Sequence, residues 1–309
     1  MRILKKIYHV INALIRRGYW FDHVFFENCR KFNTYSVFNT DVINLGSTSA
    51  LYAFNYEGIN IKAANFALAH NPLAADWAVL RNYVSFLNPH KSVVIIPLCP
   101  FGALAGSYEP MDDRYYSILY PSTIPSYSFS RDLQIQEKYK HPVWHYPFYA
   151  LFLDLFKLIV KRKFKVLSEV EMENDSHRWI NSWQLEFSIK DFAQPLSLVN
   201  KDGISDAASL LDKIVRFCKE HNGMPVIVIP PMYHTLGEKF TPVMRKILID
   251  DLFSEMKEDG YKFFNYIDDL EFTNNRSFFV NSFLLNENGA KEFTKKLLKA
   301  SNYSAPLWV

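Results

Sequence analysis

Short apolar runs alternate along the chain with longer amphipathic stretches, and this alternation predicts strands separated by helices. Continuous apolar runs are typical of strands that are buried on both faces of a sheet. Apolar residues repeated at three- and four-residue spacing indicate helices with one buried face. The predicted strands are 41–45, 59–64, 92–97, 225–230 and 261–266, and the predicted helices are 73–87, 204–220, 241–258 and 287–300.

Strands separated by helices of this length are typical of βαβ units, in which successive strands run parallel. The sequence therefore predicts an α/β fold with a doubly wound, flavodoxin-like parallel sheet of about five strands and helices on both faces. Residues 101–200 depart from the pattern, because Tyr-, Pro- and Ser-rich sequence and isolated helices replace it over a length too great for an ordinary connection. We predict a single domain, residues 1–309, with a helical and loop insertion, residues 101–200, over the active edge of the sheet.

The N-terminal segment, residues 1–35, is predicted to be basic, amphipathic and helical. Apolar residues recur at helical spacing from Ile3 to Ile15, and the first seventeen residues contain no acid. A second basic stretch, residues 157–165, overlaps the end of the apolar run 148–160. Such elements either lie in an anionic membrane interface or pack on their own domain with their lysines in water. The sequence leaves both interpretations open.

Composition excludes several classes of protein. The chain has 309 residues, of which 49% are hydrophobic and 22% charged, so it can bury a full core. The net charge of +3, from 35 basic and 32 acidic residues, produces only a weak overall field, and we predict no nucleic-acid partner. Gly is scarce, with 10 residues, which makes each glycine loop worth locating.

The cysteines and the apolar runs bear on location. Cys29, Cys99 and Cys218 are widely spaced and form no CxxC pair, so they predict neither a disulfide framework nor a metal site. No apolar run is long enough for a membrane span, and the N-terminus has no small-residue cleavage site. We expect a cytoplasmic protein, with peripheral contact at the inner membrane through the N-terminal helix as an alternative, and no cofactor.

Polar residues follow the predicted strands at the edge where α/β proteins bind ligands. Gly46, Ser47, Thr48 and Ser49 follow the first strand, and His234 follows the strand 225–230. Serines in this position are commonly turn or helix-capping residues. A loop histidine commonly hydrogen-bonds backbone or water, and this interpretation of His234 stands beside a functional one.

Three blocks of sequence resemble the SGNH/GDSL hydrolase superfamily: NLGSTSALYAFN (Asn44 to Asn55), ANFAL (Ala64 to Leu68) and LLNENGAKEFTKKL (Leu284 to Leu297). More narrowly, the chain is similar to SGNH-like proteins of bacterial capsule, O-antigen and exopolysaccharide biosynthesis, in which the first block typically reads Gly-Ser-Ser-His. The likeness covers the parts of the predicted sheet at both ends of the chain and leaves out the insertion. It implies acyl-transfer chemistry, in which a hydroxyl on the first loop attacks an ester and a histidine from an Asp-x-x-His block activates it.

The resemblance places the catalytic roles on residues that depart from the family pattern. The nucleophile position falls on Thr48, with Ser47 as an alternative, the aspartate position on Asn281 and the histidine position on Leu284. Asn281 cannot orient an imidazole as an anion, and Leu284 cannot accept a proton. His234 is the best substitute base.

The resemblance also implies an oxyanion or binding site. It would use Gly46, Ser49, Asn65 and Asn281, and backbone amides can keep such a site after side chains are replaced. Cys99 falls in the third block, where it is either a nucleophile or, more commonly for a cysteine beside a buried strand, a small apolar residue.

Aromatic residues make up 16% of the chain and are frequent in the predicted insertion. Their faces suit sugar rings, although each one singly is more often a packing residue. We predict either an esterase or O-acyltransferase acting on a glycan or lipid-linked glycan, or a non-catalytic pseudo-hydrolase that serves as a glycan-binding or assembly platform. A structural partner of a membrane glycosyltransferase is a third hypothesis. The residues concerned are Tyr108, Tyr115, Tyr116, Tyr120, Tyr127, Phe129, Tyr139, Trp144, Tyr146, Phe148, Tyr149, Trp179 and Trp183.

Overall fold

A computed structural model describes residues 2–33, 39–105, 111–159 and 166–302. They belong to two compact units. The N-terminal unit comprises Met1–Ser36 and Pro110–Lys163, and the sheet unit comprises Val37–Glu109 and Phe164–Val309. Residues 101–200 are thus shared between the two units. Tyr108 and the basic residues 161–163 and 165, which the sequence analysis singled out, lie outside the described residues.

The regular elements agree in type with most of those that the sequence predicts. The strands are β1 Val42–Asn44, β2 Ala63–Asn65, β3 Ser92–Pro97, β4 Gly223–Ile229 and β5 Lys262–Asn265. The α-helices are α1 Arg2–Ile15, α2 Thr48–Ala53, α3 Leu73–Tyr83, α4 Phe129–Lys140, α5 Phe148–Ile159, α6 Glu169–Glu186, α7 Leu198–Glu220, α8 His234–Gly237, α9 Pro242–Arg245, α10 Leu252–Glu255, α11 Leu270–Thr273 and α12 Glu287–Ala300.

The five strands form one parallel sheet in the order β2-β1-β3-β4-β5. This is the flavodoxin-like order, so the predicted fold class is confirmed. β3 is buried along its whole length and β4 at every position except the partly buried Met224, as their largely apolar sequences require. The order changes direction at β1 and β3, and proteins with this fold commonly bind ligands at the carboxyl edge of such a switch point.

Helices cover the sheet because each strand has apolar residues on both faces. Val93 and Ile95 of β3 belong to one core cluster with Phe293 and Leu297 of α12. The intervening residues of β3 are also fully buried, and α7 packs on β4 and contacts α3. Alternate residues of β3 therefore pack against helices on opposite faces of the sheet.

Most predicted boundaries differ from those observed by a few residues, and three differences have the largest effect. α7 begins at Leu198, six residues before the predicted start, because the Ser197 side chain accepts a hydrogen bond from the Asn200 amide and caps the helix there. The predicted helix 241–258 consists of α9, a π-helical turn at Lys246–Asp251 and α10. The weak strand predicted at 59–64 is β2, and it is only three residues long.

The N-terminal unit contains α1, α4 and α5 with short 3₁₀ and π turns between them. Its most deeply buried charge is Arg114, which is 2% exposed and lies 3.0 Å from Glu27 Oε2 and 3.1 Å from Asp112 Oδ2. Two carboxylates on one guanidinium offset the desolvation that a buried charge requires. In the part of the chain that the structure describes, no helix is both long and apolar enough to cross a membrane.

Candidate functional site

The loop after β1, at the carboxyl edge of the sheet, begins with a glycine in a conformation that L-residues rarely adopt. Gly46 has φ +110°, and a Cβ built on it would lie 2.6 Å from the Cβ of Ala50 and 3.3 Å from Pro97 Cδ. Only glycine fits this position without strain, since both the backbone angle and the space exclude a side chain. The turn brings Ser47 and the start of α2 close to the end of β3.

The Gly46 amide is held by a buried carboxyl group that sequence reasoning missed. Asp76 Oδ1 accepts hydrogen bonds from the Gly46 amide at 2.7 Å and from Asn71 Nδ2 at 2.5 Å. Burial raises the pKa of Asp76 to about 8, although these two hydrogen bonds lower it in part. The amide that the resemblance assigns to an oxyanion is therefore engaged by the chain's own carboxyl group. An acid on the apolar face of the α3 sequence LAADWAVL was the available signal.

The hydroxyl-bearing residues that follow β1 are held by main-chain contacts or are buried. Thr48 Oγ1 accepts a hydrogen bond from the His70 amide at 3.1 Å, and no hydrogen bond joins Thr48 to an imidazole among the described residues. Ser47 occupies the N-cap position of α2, and its carbonyl accepts from the Leu51 amide at 2.9 Å. Ser49 is buried. The loop is thus ordered by main-chain contacts around the position that the resemblance gives to a nucleophile.

Asn65 belongs to a polar network between neighbouring strands. Asn44 and Asn65 are register partners on β1 and β2, and Asn44 Nδ2 donates to Asn65 Oδ1 at 2.9 Å. Asn44 Oδ1 in turn accepts from the Tyr56 hydroxyl at 3.0 Å. Asn65 Nδ2 donates to the carbonyls of Leu51 and Phe54. These bonds place the Asn65 amide group between β1 and α2, where it ties the two elements together.

His234 contacts two carboxylates. Its Nε2 lies 2.9 Å from Glu169 Oε1, and its Nδ1 lies 3.3 Å from Glu238 Oε1. Glu169 also accepts a hydrogen bond from the Tyr233 hydroxyl at 2.6 Å, and burial, followed by that hydrogen bond, raises the pKa of Tyr233 to about 12. We name Glu169, Tyr233, His234 and Glu238 the edge cluster. Sequence reasoning missed Glu169 because it lies 65 positions before His234 and no local spacing connects them.

The block that resembles Asp-x-x-His has a different structure from a proton-transfer pair. Asn281 Oδ1 accepts from the amides of Phe283 and Leu284 at 3.0 and 2.8 Å, which closes a turn. The Leu284 side chain is buried. The carboxylate that contacts this block, Asp175, accepts from the Ser282 amide and hydroxyl at 3.1 and 2.7 Å. The side chain that contacts the Asp175 carboxylate in this block is therefore that of Ser282 and not that of a histidine.

Two further possibilities concern the Cys99 thiol and a metal ion. Burial raises the pKa of Cys99 to about 12, which keeps the thiol protonated and weakly nucleophilic near neutral pH. Within the described ranges, no three His, Cys, Asp or Glu side chains are grouped so that they could hold a metal ion.

The aromatic residues of the predicted insertion divide between packing and exposure. Trp183 is buried and stacks on Phe101 with ring centroids 4.9 Å apart. Tyr115, Tyr116 and Tyr139 are buried in the N-terminal unit. Tyr120, Phe129, Trp144, Phe148 and Tyr149 are each more than half exposed, and all five belong to the N-terminal unit. The aromatic side chains of the predicted insertion that could contact a ligand from solvent therefore lie in the N-terminal unit.

No protein-family model, curated protein or solved structure matches this chain. The fold and the contacts described above define a doubly wound α/β protein with a glycine turn at its topological switch point and an exposed acidic and imidazole cluster after β4.

Proposed function

We propose that this chain is a non-catalytic, SGNH-like protein that binds a glycan or lipid-linked glycan in cell-surface polysaccharide biosynthesis, as a binding or assembly platform. The observation that carries the proposal is the engagement of His234 by Glu169 and Glu238 in place of a hydroxyl nucleophile. Catalysis by the family's route needs a base within hydrogen-bond reach of the hydroxyl. The Thr48 hydroxyl has the His70 amide as its partner.

The other components of acyl transfer are likewise engaged. The Gly46 amide donates to Asp76, and the Asn65 side chain holds β1 and β2 to α2. An oxyanion hole needs donors aimed at the place where negative charge develops. Donors already bonded to the chain's own acceptors supply no such stabilisation, and this favours binding over ester hydrolysis.

The edge cluster has chemistry that suits sugar hydroxyls. Glu169 and Glu238 are 51% and 76% exposed at the side chain, and His234 is 34% exposed, so solvent and ligands reach all three. Carboxylates accept hydrogen bonds from vicinal hydroxyls, and charge-assisted bonds of this kind are stronger than neutral ones. A polyhydroxylated ligand is therefore the partner that the cluster fits.

Ester hydrolysis tests the non-catalytic part of the proposal. We expect p-nitrophenyl acetate turnover by the wild-type chain to equal that of the Thr48→Ala/His234→Ala double variant, because neither side chain contacts the other. The measurement is the initial rate at several protein concentrations. A Thr48→Ala variant that loses a hundredfold or more in kcat/KM would instead support the esterase or acyltransferase hypothesis, since removal of a nucleophile lowers the rate by several orders of magnitude.

Glycan-array binding tests the ligand. We expect Glu169→Gln to weaken binding about tenfold, because one charge-assisted hydrogen bond contributes about 1.5 kcal/mol or more. Glu292→Gln is the matched control: Glu292 is 46% exposed and pairs with Lys295 on α12, outside the edge cluster. Equal weakening by both variants, or no glycan bound by the wild type, would contradict the proposed site.

A further inference from the structure

Helix α1 directs most of its large apolar side chains into solvent, although Ile15 at its end is buried. Among its large apolar residues, six are at least 40% exposed, and at about 100° per residue they fall within an arc of about 120°. In an ordinary surface helix this arc would face the core. We name these residues the α1 arc: Ile3, Leu4, Ile7, Val10, Ile11 and Leu14.

Directional contacts on another face of α1 fix this orientation. The Tyr8 hydroxyl lies 2.6 Å from His141 Nδ1, and Asn12 Oδ1 accepts from the Val143 amide at 3.1 Å. Asn12 is 3% exposed, so the polar side of the helix is the one that packs on the N-terminal unit. The exposure of the α1 arc is therefore built into the fold of the unit.

Helix α5 repeats the arrangement. Six of its large apolar residues are at least 47% exposed, whereas Ala150 is fully buried. Asp154 holds the opposite side, since its carboxylate accepts from the Trp20 amide at 2.7 Å and from the Tyr146 hydroxyl at 2.8 Å. We name the exposed set the α5 arc: Phe148, Tyr149, Leu151, Phe152, Leu155 and Phe156. The two arcs hold twelve of the twenty-six exposed large apolar side chains found among the described residues.

The charges around the α1 arc indicate which surface covers it. Lys5, Lys6, Arg16 and Arg17 are exposed, and α1 contains no acidic residue. Trp144 is 75% exposed, and its ring centroid lies 6.1 Å from that of Tyr8. Apolar residues flanked by cations and exposed Trp or Tyr are typical of helices in an anionic lipid interface. A protein groove offers no general reason for the cationic flanks.

Helix length determines the mode of contact. α1 is about 21 Å long and α5 about 18 Å, at about 1.5 Å per residue, whereas the hydrocarbon core is about 30 Å thick. Neither helix can cross it. We infer that the α1 and α5 arcs lie in the plane of an anionic bilayer surface and attach the N-terminal unit to it peripherally. The inference does not depend on the glycan proposal, because it uses residues of the N-terminal unit alone.

Vesicle sedimentation tests the inference with the full chain. We expect vesicles of phosphatidylcholine with about 30% phosphatidylglycerol to retain the wild type, and Ile7→Glu/Leu14→Glu and Phe148→Glu/Phe152→Glu each to lower the partition coefficient at least tenfold. Leu185→Glu is the matched control, because Leu185 is 82% exposed in the sheet unit and should leave partitioning unchanged. Circular dichroism checks that every variant is folded. We expect that they are, because substitution of an exposed side chain usually changes stability little.

The lipid charge provides a second, independent measurement. Lys5→Gln/Lys6→Gln should lower partitioning on the anionic vesicles by about thirtyfold, since each basic residue near the surface contributes about fivefold, and should leave the weaker binding to pure phosphatidylcholine unchanged. Wild type that stays in the supernatant, or equal retention of wild type and both Glu variants, would overturn the inference. A wild-type dimer that Ile7→Glu/Leu14→Glu dissociates, with no retention on vesicles, would assign the arcs to a second copy of the chain.

Discussion

Gly46→Ala is expected to lower the free energy of unfolding by about 2–5 kcal/mol. A side chain at φ +110° costs about 1–3 kcal/mol, and overpacking adds a similar amount. The added Cβ would lie 2.6 Å from the Ala50 Cβ, and a methyl group on a helix has no flexible end that could move aside. α2 must therefore shift away from β3. Urea denaturation with an unchanged m-value measures the loss.

Substitution of two other glycines separates the cost of backbone strain from the cost of steric collision. Gly58 has φ +74°, and its added Cβ would meet only the Lys291 side chain, at 3.2 Å from Nζ, so Gly58→Ala should lose about 1–2 kcal/mol from strain. An added Cβ at Gly102 meets nothing nearer than 3.9 Å, so Gly102→Ala should change stability by less than about 0.5 kcal/mol. If Gly46→Ala lowered the free energy of unfolding no more than Gly102→Ala does, the tight turn described at Gly46 would be contradicted.

Asp76→Asn is expected to remove a pH dependence of stability. In the unfolded chain this carboxyl ionises near pH 4, whereas burial keeps it protonated in the folded state up to about pH 8. Between these values the folded protein binds one more proton, so Asp76 makes stability fall as pH rises. The limiting slope is about 1.4 kcal/mol per pH unit. The wild type should therefore lose about 1 kcal/mol per unit relative to Asp76→Asn between pH 5 and 7.

Asp76→Ala is the companion variant for this measurement. It also lacks the carboxyl group, so it should share the altered slope, but it leaves the Gly46 amide without its acceptor at every pH. An unpaired buried donor costs about 1–3 kcal/mol, so the two variants should differ by that constant amount. Urea midpoints at matched pH values give both quantities. A wild type whose stability relative to Asp76→Asn is independent of pH would contradict a protonated Asp76.

The fold class followed from the sequence because its signals are local. The run SVVIIP at 92–97 is apolar from Val93 to Pro97, and a strand buried on both faces is the structure that such a run favours. The α12 sequence has its apolar residues at helical spacing and an Asn cap before it, so both its type and its start were predictable. The start of α7 was missed because a single cap at Ser197 overrode the weak pattern that follows it.

The position of the candidate site residues along the chain was predictable from the sequence, but the partners of their side chains and amides were not. The loop after β1 and the glycine turn follow from position alone, because parallel strands end at one edge. The engagement of His234 by Glu169 and of Gly46 by Asp76 joins residues 65 and 30 positions apart, and no periodicity connects such pairs. These contacts, rather than the motif, favour binding over hydrolysis.

By itself, the sequence determined the fold class, the glycine turn at Gly46 and the amphipathic character of α1, since the signal for each lies in the chemistry of neighbouring residues. Only the tertiary structure decided which face of α1 is buried, because the hydrogen bonds that join Tyr8 to His141 and Asn12 to Val143, each more than 130 positions away, fix the helix by its polar side. It likewise decided that Asp76 is buried against the Gly46 amide. Hydrophobic periodicity ranks the faces of an element, but long-range directional contacts determine which face packs.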